Sequence, residues 1–363
     1  MDESDLRWYD HLLASDSSSV KAQWQAAAEG RRCLLICGAG FDPRTLDVPS
    51  AVREMRLDQL DVIAIRPPVG GAHVSAASAA ATNQSGLSRM FGNHLSIVES
   101  PVAIDPSSTG TMLTRAIQRT SNVLGYETVL IDMSGLPSSI SFPVVQLFLQ
   151  QSLSGAGTTA AFSGNLVVTV SEDASTDASI VASGLGAPGA LSGFSRLPEE
   201  RITRIWVPVL GSGAGEELRA LRTWLEPDEV CPAVPFPSHD PRRGDDLLLE
   251  HRDLLFDEMQ FEPRNVLYAA EGNPFDLYRQ LIRLARRYRR ALDPLGGATI
   301  VVSEHSSKTL SLGVLLAAHE EQEIVVAHVR PLAYAAPEQM GRSRASIRSA
   351  WLAGDPYRVS VGT

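Results

Sequence analysis

A chain of 363 residues exceeds the size at which one core usually keeps growing, about 250–300 residues, so two domains are expected. With 44% hydrophobic and 20% charged residues and a mean hydropathy near zero, it has the composition of a globular protein with sizeable cores. A net charge of −10 excludes a global basic field for nucleic acid, and no apolar run reaches the roughly 18 residues of a membrane-spanning helix.

The amino-terminal segment MDESDLRWYD is polar and lacks the apolar stretch of a secretion signal, so a cytoplasmic chain is expected. Residues 1–30 end in VKAQWQAAAEG, which reads as a leader helix. CLLICGAG is then a strand running into a glycine turn. Asp42 follows as a helix cap, with Pro43 at the first helical position. LDVIAIRPP, LSIVESPVAI, TVLIDMSG and NLVVTVSE are further apolar strands. Between them lie a small-residue stretch (GGAHVSAASAAATNQSG) and two helical segments, TMLTRAIQRTSNVLG and FPVVQLFLQQSL. Alternating β and α elements with apolar strands indicate a mainly parallel sheet covered on both faces.

Residues 176–200 are rich in Gly, Ser, Ala and Pro and read as a linker. The pattern then restarts. RITRIWVPVL, DEVCPAVPFP, RNVLYAAEG, TIVVSE and EIVVAHVRP are strands, and GEELRALRTWL, LLLEHRDLLFDEM and NPFDLYRQLIRLARRYRRAL are helices. Leu34 and Ile205 open matching strands 171 residues apart, and so do Val129 and Ile300; VIAIRPP and VCPAVPF are 168 apart. Two tandem Rossmann-like α/β domains are therefore expected, at 31–175 and 201–340 with a tail at 341–363, and the repetition points to internal duplication.

Ligands in open α/β sheets bind beyond the carboxyl ends of the strands. Four turns qualify. GAGFDPR offers Gly38 and Gly40 for close backbone approach and Arg44 as a cation, with a surface pair to Asp42 or Asp47 as the competing reading; it lacks the third glycine of a dinucleotide fingerprint. LGSGAGEE carries Gly211, Gly213 and Gly215, but Glu216 and Glu217 suit the helix dipole unaided and would repel phosphate, so that turn reads as structural. MSGLPSSIS has Ser138 and Ser139 but no cation. SEHSSKT is the leading candidate: Ser306 and Ser307 cap a helix, Lys308 sits in its first turn, and Glu304 and His305 adjoin them.

Other features carry less. Cys33, Cys37 and Cys231 form no CxxC pair and read as buried thiols rather than metal ligands. The basic run Arg283–Arg290 reads as a solvated helix face, so nucleic acid is not an expected direct partner. No GxSxG elbow is present, and no nucleophile–base set is visible in the sequence.

The strand Thr299–Ser303, its Ser306-Ser307-Lys308 turn, the small-residue helix LSLGVLLAA and the polar turn near Gly211 together resemble a CARF domain, a Rossmann-like sensor of cyclic oligonucleotides in prokaryotic defence. The paired modules resemble the fused arrangement of SAVED domains. The likeness covers roughly residues 203–332 and, more faintly, 33–172. Two serines stand where that family has glycines. The resemblance implies a nucleotide or cyclic oligonucleotide ligand. No stretch is left over for an effector domain, so it also implies a non-catalytic sensor or regulatory subunit acting on a separate effector protein, with a homo-oligomer as a further option. The alternatives are an enzyme with a nucleotide-type cofactor, and an assembly subunit whose folds have lost their ligands.

Overall fold

The computed structural model describes residues 5–68, 74–101, 106–152, 162–173, 176, 180–335 and 346–358. The chain forms an α/β protein of two compact units, one comprising 1–180 with 333–363 and the other 181–332.

The first unit is assembled around five parallel strands: β2 (Cys33–Gly38), β3 (Leu60–Arg66), β4 (Leu95–Glu99), β5 (Thr128–Asp132) and β6 (Asn165–Glu172). Their order is β6-β5-β2-β3-β4, so the sheet reverses direction of growth between β2 and β5. Beyond β6 the sheet continues antiparallel through β14 (Ser346–Ala353) and then β1 (Leu12–Ala14). Helices α1 (Ser17–Ala28), α2 (Asp47–Glu54), α3 (Val74–Phe91), α4 (Pro106–Thr120) and α5 (Ser138–Gln151) accompany it. The interiors of β2 and β5 are wholly apolar, as burial on both faces requires. Trp24, Leu35, Val52, Val62, Leu130, Val167 and Trp351 meet in one core cluster.

The second unit repeats the plan. Parallel strands β8 (Thr203–Val209), β10 (Ala233–Pro235), β11 (Leu267–Ala269), β12 (Ala298–Glu304) and β13 (Val325–Ala335) stand in the order β11-β10-β8-β12-β13, followed by β7 (Val181–Ala190). The short β9 (Glu229–Val230) pairs with β8 off this path. Helices α6 (Gly215–Leu225), α7 (Arg243–Glu250), α8 (Pro274–Leu292) and α9 (Lys308–Glu320) follow β8, β10, β11 and β12. The two central strand pairs share one register: 95 residues separate Cys33 from Thr128 in the first unit and Arg204 from Thr299 in the second.

Three domain assignments change. Residues 176–200 are not a plain linker, because β7 lies within them and completes the second sheet against β13. The tail 341–363 contains β14, which pairs with β6 over Leu166–Glu172. The leader 1–30 supplies β1 as well as α1, and the Trp24 indole donates to Ser349 Oγ (3.0 Å) and Thr169 Oγ1 (3.2 Å), tying α1 to both strands. The small-residue stretch is helical from Val74, and its residues 70–73 lie outside the described residues.

No helix among the described residues is long and apolar enough to cross a membrane. The basic face of α8 is partly neutralised: Arg286 and Arg289 pair with Glu321, and Arg289 also reaches Glu323 at 2.9 Å.

If the tail is part of the first core, Trp351→Ala costs about 3–5 kcal/mol, the usual range for truncating a buried aromatic. Urea unfolding measures this. A loss below about 1 kcal/mol would mean β14 is dispensable.

Candidate functional site

In each sheet the strand order reverses between two loops, and this crevice is where an α/β sheet can take a ligand. In the first unit those loops leave β2 and β5. They close on each other: a Cβ on Gly38 would stand 3.0 Å from the Gly135 carbonyl oxygen, so glycine is used there for chain packing. The Gly40 carbonyl accepts from Asn83 Nδ2 at 2.9 Å. Arg44 is only 3% exposed and is held by Asp42, with Nη2–Oδ2 at 2.7 Å and Nε–Oδ1 at 3.0 Å. Asp42 also caps the short 3-10 turn that begins at Pro43, accepting from the Arg44 amide. Gly38 packs against the second loop and the Gly40 carbonyl is bound by Asn83, while Arg44 pairs with Asp42 as in the competing reading, but buried rather than at the surface.

Behind them lies Asp132, at the end of β5 and 0% exposed. One carboxyl oxygen accepts from the amide and hydroxyl of Ser134; Oδ2 has no partner among the described residues. Burial, aided by the charges of Asp47 and Asp42 and opposed by Ser134, raises its pKa to about 7. Cys37, on the adjoining strand, has its thiol pKa pushed well up by burial and by Asp132. All three cysteines are buried and free. Among the described residues no group of His, Cys, Asp or Glu is placed to hold a metal ion.

In the second unit the corresponding loops leave β8 and β12. A Cβ on Gly211 would overlap the His305 carbonyl, and the Gly211 carbonyl accepts from His251 Nε2 at 2.8 Å if that nitrogen carries the proton. Gly211 therefore lets the two loops touch instead of facing a ligand. The His305 amide donates to the Val209 carbonyl (3.0 Å), and its ring bridges Glu217 Oε2 (Nδ1, 2.9 Å) and Ser303 Oγ (Nε2, 3.0 Å). The Trp206 indole also donates to Ser303 Oγ at 3.0 Å. In the neutral ring that donates from Nδ1 to Glu217, Ser303 donates to Nε2.

This network pins the turn from which α9 springs. Ser307 is its N-cap, accepting from the Leu310 amide at 3.3 Å, and Lys308 is its first residue. Glu304 Oε2 accepts from Ser311 Oγ at 2.7 Å. Two polar atoms at this edge are shielded from solvent without a partner among the described residues: Ser306 Oγ and His328 Nε2. His328 follows Ala327, the β13 partner of Ser303, so it lies beside the end of β12. Burial lowers its pKa, while Glu304 and Glu217 act to raise it and His305 and Lys308 to lower it.

The structure thus brings Glu304, Ser306, Ser307 and Lys308 to one sheet edge and adds Glu217 and His328. Glu217 is more than a dipole partner of α6, because it holds His305. His328 gives no local signal; it lies within the apolar strand EIVVAHVRP.

No family model matches the chain, and no curated protein matches it. Among solved structures, it is similar to the crystal structure of a functionally unknown protein from Pseudomonas aeruginosa PAO1. Identity is 13% over 84% of this chain and 93% of that one, with a TM-score of 0.22. A TM-score that low carries no argument about function.

The Asp132 carboxyl makes stability depend on pH. Between about pH 4, where the unfolded carboxyl titrates, and about pH 7, where the folded one does, the folded chain holds the extra proton, so stability falls as pH rises. Asp132→Asn should remove that fall, worth roughly 2–4 kcal/mol. Unfolding free energies from pH 4 to 8 measure it, and equal slopes in both proteins would contradict the assignment.

Proposed function

We propose that the chain is a non-catalytic nucleotide-sensing or regulatory subunit whose second unit binds a phosphate-bearing ligand at the start of α9. The observation that carries this reading is the pair of buried, unpartnered polar atoms, Ser306 Oγ and His328 Nε2, at the same strand ends as the α9 amino terminus. A buried polar group without a partner costs about 1–3 kcal/mol, so two at one edge favour a ligand that satisfies them. The amides at the start of α9 and the Lys308 charge suit phosphate. Glu304, an acceptor, suits a ligand hydroxyl better than a phosphate oxygen.

The resemblance of this strand–turn–helix to CARF domains agrees with a cyclic oligonucleotide as the ligand and with a separate effector protein as the partner, in prokaryotic defence. The first unit, in which Arg44 is paired with Asp42, serves as scaffold.

A hydrolytic reading has one observation in its favour. Glu217, His305 and Ser303 stand in carboxylate–imidazole–hydroxyl order at 2.9 and 3.0 Å. Ser303 is 0% exposed, however, and its oxygen is also held by Trp206, so a substrate carbonyl has no approach to it. The network is better suited to hold the turn than to attack a substrate.

A thermal-shift series with mono-, di- and cyclic oligonucleotides tests the reading. At a ligand concentration a hundredfold above Kd, the expected stabilisation is about 2.7 kcal/mol, seen as a rise of several degrees. Ser306→Ala and Lys308→Ala should abolish most of it. His328→Phe should raise the melting temperature of the unliganded chain while weakening the response. Absence of any shift with every nucleotide would overturn the proposal and favour an assembly role.

A further inference from the structure

The second unit carries a pair of exposed aromatic rings that its core does not use. Phe236 is 54% exposed and Tyr268 53% exposed, with ring centroids 6.0 Å apart in an edge-to-face arrangement. They stand at neighbouring parallel strands: Val234 of β10 pairs with Tyr268 of β11, and the Phe236 amide donates to the Ala269 carbonyl at 2.7 Å. The loop beyond Phe236 is built rather than loose. The carboxylate of Glu271 accepts from the His239 amide at 3.1 Å and pairs with Arg243 at 2.8 Å, and the Glu271 amide donates to the Pro237 carbonyl at 3.0 Å. Two large rings thus remain in water on a fixed frame.

Their position relates them to the α9 turn. Ala233 of β10 pairs with Val209 of β8, and Val209 pairs with Glu304 of β12, so these three residues form one row across the sheet. Phe236 lies three residues beyond that row, and Ser307 lies three residues beyond it on the other side of β8. Both emerge from the same carboxyl edge, beyond a row that spans two strand spacings, about 10 Å, from β10 to β12. That separation matches the reach of a nucleotide from its phosphate, across the sugar, to its base. The intervening β8 turn is held by Glu250, which accepts from Ser212 Oγ and the Gly213 amide (2.8 and 2.6 Å).

We infer that Phe236 and Tyr268 form the stacking platform for the base of a nucleotide whose phosphate sits at Ser306 and Ser307. This inference rests on the phosphate site proposed above and adds the ligand's other end. Stacking on aromatic rings tolerates any base, because every base presents a π-face. The platform therefore supplies affinity for a nucleobase without choosing one. Base identity would be read by hydrogen bonds from elsewhere.

The test compares adenosine monophosphate with ribose 5-phosphate by titration calorimetry on the full chain, which separates the base from the phosphate. Adenosine monophosphate should bind about tenfold or more tightly than ribose 5-phosphate. Phe236→Ala and Tyr268→Ala should each erase most of that ratio and leave ribose 5-phosphate binding unchanged, while Phe236→Trp should retain it. Both rings are exposed, so the variants should keep the wild-type circular dichroism spectrum and melting temperature. Equal binding of the two probes, or a ratio unmoved by the alanine variants, would overturn the platform while leaving the phosphate site standing. If neither probe binds the wild type, the phosphate site itself fails and the platform falls with it.

Discussion

Each unit grows outward from one parallel pairing, β2 with β5 and β8 with β12, and everything functional follows from where those two strands end. The sheet reverses its direction of growth at this pair, and the two loops that leave it come into contact. A Cβ would overlap the His305 carbonyl at Gly211 and would crowd the Gly135 carbonyl at 3.0 Å at Gly38. The close approach fixes the path of the chain into the next helix, α5 or α9. It also decides which polar groups are trapped beneath the loops: Asp132 in one unit, Ser303 and His305 in the other.

The same frame leads to different electrostatics. In the first unit three carboxylates and one arginine gather under the loops, and the arginine is consumed by Asp42. The remaining buried carboxyl, Asp132, is held neutral up to about pH 7 by its burial. In the second unit a histidine lies between a carboxylate and a hydroxyl, so the network is satisfied internally and the turn above it is held still. A preorganised turn avoids part of the ordering cost on binding. In the proposed reading, that contrast is why the second unit binds and the first supports.

Much of the fold was legible in the sequence because parallel strands buried on both faces leave continuous apolar runs such as CLLICG, TVLID and TIVVS. The domain edges were not. β7 has the composition of a loop, VASGLGAPGA, and becomes a strand only through pairing with β13. β14 lies at the far end of the chain from the sheet it completes. In the site, Ser307 and Lys308 announce a helix start locally, and the structure begins α9 at Lys308. Glu217 and His328 become neighbours of that turn only through the pairing of β12 with β8 and β13, a contact across 88 residues in the case of Glu217 and His305. Arg44 could be read either way from sequence, and the structure pairs it with Asp42 in a buried rather than a surface position.

The most direct measurement is amide hydrogen exchange of the full chain with and without inorganic pyrophosphate, a probe that carries the anionic chemistry alone. If the second unit binds phosphate at the start of α9, exchange should slow at Ser307, Lys308 and Thr309, the cap and the first two residues of that helix. The matching positions before and within the start of α5 should be unaffected. Protection confined to the first unit's loops, or none at α9, would contradict the account.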